Sequence, residues 1–168
     1  MNLVSRLFVV ATLSFALAGC TGMIRQVDQA DIQSVRKVVV VSQLGDTFNG
    51  SLTATTVFGN SSYKVNVSDW QVDEKLAESA VEAINQGGKL NASMLTSSAK
   101  LPELLKAAAA RNADTLLLVT LAGNSNQPDF RPGYGFYRRT LFAMDRSCIY
   151  SLFVTTAYNV KSGKEMGI

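Results

Sequence analysis

The chain has 168 residues, with 16 lysines and arginines against 13 acids, no histidine and two cysteines. That length suits one domain with a real hydrophobic core, and a net charge of +3 without a basic block gives nucleic-acid binding no support. Without histidine, no imidazole can ligate a metal or activate a serine or cysteine, so only carboxylate chemistry with hard cations such as Ca²⁺ or Mg²⁺ stays open, and no metal or cofactor is expected.

In chain order, Met1 to Arg6 carries one cation and Leu7 to Leu17 is an apolar run, the order of parts in an export signal. A helix needs roughly 20 apolar residues to span a bilayer, so this run is too short to be a permanent anchor. It closes on Leu17-Ala18-Gly19-Cys20. That sequence resembles the lipobox of bacterial lipoproteins. The resemblance implies a signal peptide over residues 1–19, removed on maturation, with a diacylglycerol on the Cys20 thiol and an acylated new N-terminus. Thr21, where an aspartate would mark inner-membrane retention, implies the outer membrane, facing the periplasm. Each buried acyl carbon contributes about 0.8 kcal/mol, so two or three chains hold such a protein almost permanently. Loss of Arg6 with the signal leaves 149 residues and a net charge of +2. Cys148 is then the only thiol not committed to lipid, and its neighbours Ile149 and Tyr150 predict a buried strand position.

Residues 20–34 comprise the lipidated N-terminus and a polar stretch read as a flexible tether, with an α/β domain expected over 35–168. Val35 to Leu44, with four consecutive valines, predicts an interior strand covered on both faces. Leu52 to Phe58 and Tyr63 to Val67 flank Gly59-Asn60-Ser61-Ser62 and predict a hairpin. Ser68 and Gln71 can form a capping box for a helix from Asp69 to Gln86, whose Val72, Leu76, Ala80, Ala83 and Ile84 recur at helical spacing. Glu74, Glu78 and Glu82 form a stripe read as its solvated face. Gly87-Gly88-Lys89 closes this helix and so does not match a phosphate cradle, which opens one. A second helix is expected from Pro102 to Arg111, ended by Asn112 in a left-handed turn, and Thr115 to Leu121 reads as another buried strand.

Asn124 to Arg139, rich in Gly, Pro, Asn and aromatics, reads as a long loop. Cys148, Tyr150, Leu152, Val154, Tyr158 and Val160 then fall on one face of a long final strand, followed by a turn at Lys161-Ser162-Gly163-Lys164. The expected fold is α/β, a single domain with a mixed β-sheet and about two packed helices. Glu165 to Ile168 is shorter than a usual strand, so the sequence is expected to stop inside its domain, a truncation at the C-terminus. The valine run with Gly45-Asp46, Thr55-Thr56-Val57-Phe58, Asp69-Trp70 with Asp73, Leu116-Leu117-Leu118-Val119, and Gly133-Tyr134-Gly135-Phe136-Tyr137 together resemble a loosely defined group of uncharacterised bacterial envelope proteins. The order of elements is also similar to small α/β domains of envelope-assembly lipoproteins, including activators of cell-wall synthases. Neither likeness carries an activity.

Two functional classes follow. The first is a non-catalytic envelope lipoprotein that binds another envelope protein or the cell wall, with the membrane as partner through Cys20. Its candidate interaction loop is Asp129 to Arg139, where Arg131, Tyr134, Phe136, Tyr137, Arg138 and Arg139 combine aromatics with arginines. The competing reading of these aromatics is core packing. The second class is a hydrolase or small-ligand-binding domain built on carboxylates around Asp46, Asp69 and Asp73. Gly45-Asp46-Thr47 at a strand end invites a hydrolase reading, but with threonine for serine and no histidine it reads as turn chemistry. One pocket holding all three acids favours the second class; an exposed apolar patch favours the first.

Overall fold

The structure, a computed structural model, describes residues 29–122, 130–142 and 144–167. Cys20 and the signal segment lie outside those residues. The protein is a single mixed α/β domain. Its elements are α1 (Gln29–Ser34), β1 (Lys37–Gln43), β2 (Thr47–Thr53), β3 (Ser61–Asn66), α2 (Val72–Gln86), β4 (Asn91–Met94), α3 (Leu101–Ala110), β5 (Thr115–Leu121), β6 (Gly133–Leu141), β7 (Met144–Asn159) and β8 (Glu165–Gly167). The strands run in the order β3-β2-β6-β7-β5-β1-β4, with β8 added beside β7. Strand β1 is parallel to β4 and β5, and β2 is parallel to β6; the remaining pairs are antiparallel.

The valine run behaves as its lack of alternation predicts. Val39 and Val41 face α3, packing with Leu104, Ala108, Leu116 and Leu118. Val38 and Val40 face the other way, onto Ala77 of α2 and Ala92 of β4. A strand with a helix on each face buries every residue, so both faces must be apolar. Helix α3 carries Pro102 in its first turn, and Asn112 (φ 55°) takes the left-handed conformation after it, as expected. Strand β5 matches the predicted span. Glu78 and Glu82 are exposed, as a solvated helix face requires.

Several expectations fail for identifiable reasons. The last six residues of the span read as a flexible tether form α1. The first hairpin arm is Thr47–Thr53 instead of Leu52 to Phe58, part of which forms a 3-10 turn at Val57–Gly59. Gly50 belongs inside that strand because the Tyr63 ring of β3 lies over it; a Cβ there would stand 2.0 Å from Tyr63 Cζ. The Ser68–Gln71 capping box does not form: Ser68–Trp70 is a 3-10 turn, and Gln71 caps α2 in the left-handed conformation without a side-chain bond. Strand β4 sits in a stretch with no apolar period, held because its parallel pairing to β1 places Ala92 opposite Val38.

The largest correction concerns the expected loop from Asn124 to Arg139. Residues 123–129 lie outside the described residues, but Gly133–Leu141 is strand β6, paired with β2 on one side and β7 on the other. Gly135, which reads as loop composition, allows close approach: a Cβ would stand 2.0 Å from the Asn49 carbonyl oxygen. Strand β7 runs through both halves of the sheet, pairing with β6 along Met144 to Leu152 and with β5 along Phe153 to Asn159. Tyr150, Leu152, Val154 and Tyr158 are partly covered as predicted, whereas Cys148 is exposed and not buried. After the turn, β8 returns against β7 for three residues. Among the described residues, no helix is long and apolar enough to cross a membrane.

Candidate functional site

Of the three candidate acids, Asp73 has a defined structural role. Asp73 stands in the first turn of α2, where a carboxylate meets the positive end of the helix dipole. Its Oδ1 accepts hydrogen bonds from the Ser42 hydroxyl (2.5 Å) and the Leu44 amide (2.7 Å), and its Oδ2 accepts from the Gly45 amide (2.9 Å). The left-handed Gly45 (φ 74°) turns the chain from β1 to β2 around this carboxylate. Asp73 is thus the tie between that turn and α2. It borders a cavity of 530 Å³ with Ser42, Gln43, Gly45 and Thr96 to Ser98, which Asp46 and Asp69 do not line. Gln43 closes one wall by donating to the Ser97 and Ala99 carbonyls, each at 2.9 Å. The carboxylate that accepts from Ser42 also accepts from two backbone amides, so these bonds fix the turn against the helix. Among the described residues, no three His, Cys, Asp or Glu side chains are grouped to hold a metal.

Tyr134 links this corner to the outer half of the sheet. Its hydroxyl donates to the Gly45 carbonyl at 2.8 Å, and its ring meets Phe48 edge-on at 6.2 Å. Burial, then the negative charges of Asp46 and Asp73, push the phenol above its usual range. The residue is 9% exposed. Tyr137 is buried as well, with Phe130 tilted across it at 4.9 Å and edge-on to Tyr150 at the same distance. Phe136 is half-buried. These aromatics pack the sheet, as the competing reading had it. Arg131 is exposed and donates to the Ser62 hydroxyl at 3.2 Å, while Arg138 and Arg139 are exposed on β6.

What the structure brings together instead is the end of the β6–β7 ribbon. Cross-strand register pairs Arg139 with Arg146 and Leu141 with Met144. These four share one face and border a shallow cavity of 270 Å³. On the opposite face, Arg138 Nε donates to both oxygens of Asp145, at 3.0 and 3.1 Å, and the Thr140 hydroxyl donates to Oδ1. That bidentate bond holds the Asp145 carboxyl below its ordinary range. At the turn, Phe142 (φ 54°) is 80% exposed and Met144 is 60% exposed. Thr55, from the loop between β2 and β3, accepts from the Phe142 amide (3.0 Å) and donates to the Thr140 carbonyl (3.2 Å), which clamps the turn. Ile149, further along the ribbon, is 82% exposed. Sequence reasoning reached Arg138 and Arg139 but missed the rest of this tip. Its signal was the apolar Leu141, Phe142 and Met144 between Arg138-Arg139 and Asp145-Arg146, legible once Leu141 and Met144 are read as the ends of two hairpin arms.

Comparison with protein-family models, curated proteins and solved structures finds no match to this chain.

Proposed function

We propose that the chain is a lipid-anchored protein of the bacterial envelope, tethered through Cys20, whose α/β domain is a non-catalytic binding module. The observation that carries the binding role is the contrast in placement: Asp46 and Asp69 do not line the cavity beside Asp73, whereas exposed apolar and arginine side chains gather on the β6–β7 ribbon. The module engages another envelope component through that ribbon, be it a protein, the cell wall or an anionic headgroup surface. The anchor rests on Leu17-Ala18-Gly19-Cys20 behind an apolar run too short to span. The outer membrane, periplasmic face, is the location this reading assigns.

Fatty-acid labelling in a bacterial host tests the anchor. The wild-type chain should incorporate label and fractionate with membranes, and Cys20→Ser should lose the label. Label retained on Cys20→Ser rejects the lipid anchor. Crosslinking in intact envelopes tests the module: the ribbon should yield crosslinks that vanish when Arg139 and Arg146 are replaced by Gln. Crosslinks confined to other surfaces would move the binding site elsewhere.

A further inference from the structure

We infer that the β6–β7 tip is an anionic-membrane contact, in which Phe142, Leu141 and Met144 enter the bilayer interface and Arg139 and Arg146 meet lipid phosphates. The inference rests on the reading of the ribbon as a binding element and is independent of the Cys20 anchor.

The chemistry is layered along the ribbon. Phe142 stands at the turn, Leu141 and Met144 form the next cross-strand pair, and Arg139 and Arg146 form the pair two residues further back on the same face. Two residues of strand advance about 7 Å. Amphipathic elements sink roughly 5–10 Å into the boundary between headgroups and acyl chains. A tip whose apolar end reaches that depth therefore carries its two guanidinium groups at the level of the phosphates. A protein partner presents one face to one face; a surface whose polarity changes with depth matches a ribbon whose polarity changes along its axis and is exposed on both sides.

The charges fit the same occupant. Arg138 already has Asp145. Arg139 and Arg146, directly opposite each other, are like charges in register, an arrangement that destabilises a free hairpin. Among the described residues neither forms a salt bridge, so both exposed guanidinium groups are open to an external anion. Arginine suits this role because its planar fork binds phosphate oxygens in pairs. The turn adds a second observation. Phe142 takes a left-handed conformation that bulky residues rarely adopt, where Gly or Asn is unstrained, and Thr55 holds it there with its side chain in solvent.

Placement fixes a consequence. Asn159, at the far end of β7, lies beside the point where the N-terminal segment enters the domain: Val160 donates to the Asp114 carbonyl, and the Arg36 amide donates to the Asp114 carboxylate. Strand β7 spans at most about 50 Å between the two ends. A tip inserted along the ribbon axis therefore sets the N-terminal entry of the domain away from the bilayer surface.

The test uses the full chain carrying Cys20→Ser, so that no lipid contributes, sedimented with vesicles of phosphatidylcholine alone or mixed with phosphatidylglycerol. Adding Arg139→Gln and Arg146→Gln isolates the tip from any contribution of the N-terminal segment. Each arginine near an anionic surface strengthens binding about fivefold, so the double change should weaken partition onto phosphatidylglycerol vesicles roughly thirtyfold. Phe142→Ser should weaken it too, with unchanged circular dichroism and melting. Equal partition onto both vesicle types, or partition unaffected by the arginine changes, overturns the inference. Tip crosslinks found only with protein, on vesicles that the variants bind as well as the parent, overturn it in favour of a protein partner. Failure of the Cys20 anchor would show only in the labelling experiment.

Discussion

Strands β1 and β5 are covered on both faces, by α3 on one side and α2 on the other, while the first six residues of β7, Met144 to Ile149, are exposed on both faces. Both are regular strands in one sheet. The difference lies in what pays for order: apolar burial in the first case, and cross-strand hydrogen bonds with the Thr55 clamp in the second. A strand stabilised by its own burial has no side chains to spare for a partner. A strand stabilised through its backbone keeps most of them, Asp145 with its bond to Arg138 excepted.

The comparison can be broken most easily at the core. Leu104 is 1% exposed and packs against Val39, Val41, Leu116 and Ala108, so Leu104→Ala should cost about 3 kcal/mol, read from chemical denaturation. A cost below about 1 kcal/mol would mean that α3 does not close this face. Asp73→Ala comes next. It strands two amides and a hydroxyl at the β1–β2 turn, and hydrogen bonds to charged groups contribute about 1.5–3 kcal/mol, so a loss of about 2 kcal/mol is expected. A loss of that size with the ribbon still competent for binding would show that Asp73 is a structural tie.

Tyr134 joins the two regions. Tyr134→Phe should cost about 1 kcal/mol through the lost bond to Gly45. Its folded pKa is raised above 10.0, so the folded state favours the protonated phenol. The stability this contributes is complete below pH 10 and is lost as the pH rises through the raised folded value. Wild-type stability should therefore fall more steeply above pH 10 than that of Tyr134→Phe; parallel curves would remove the assigned cause. The smallest effect belongs to the ribbon. Arg138→Gln should leave the thermal midpoint unchanged, because both partners are exposed. The Asp145 carboxyl, now held low by Arg138, should then titrate closer to its ordinary value, which carboxyl NMR would read.

How much of this was legible follows from the same contrast. The valine run, α3 and β5 announce themselves because double coverage by helices writes an uninterrupted apolar run, and burial under a helix writes a 3.6-residue period. The loop reading of Gly133-Tyr134-Gly135 fails because those glycines answer to a partner distant in sequence: Gly135 makes room for Asn49, and only the pairing of β2 with β6 shows it. Gly50 under Tyr63 is the same case. Cys148 looked buried because Ile149 and Tyr150 flank it, yet a ribbon beyond the helices has no layer to cover it. Gly45-Asp46-Thr47 stands out because it closes a strand, yet the acid that works at that turn is Asp73 from the start of α2, committed to two backbone amides and the Ser42 hydroxyl.

Native-state hydrogen exchange of the full chain measures the separation between core and ribbon most directly. Amides of Val38 to Val41 and Leu116 to Val119 should exchange only through global unfolding, whereas those of the ribbon tip, from Thr140 to Ser147, should exchange through local opening and much faster. If the tip amides exchange at the rate of the core, the ribbon is part of one cooperative unit and its exposed side chains are not free to serve a partner.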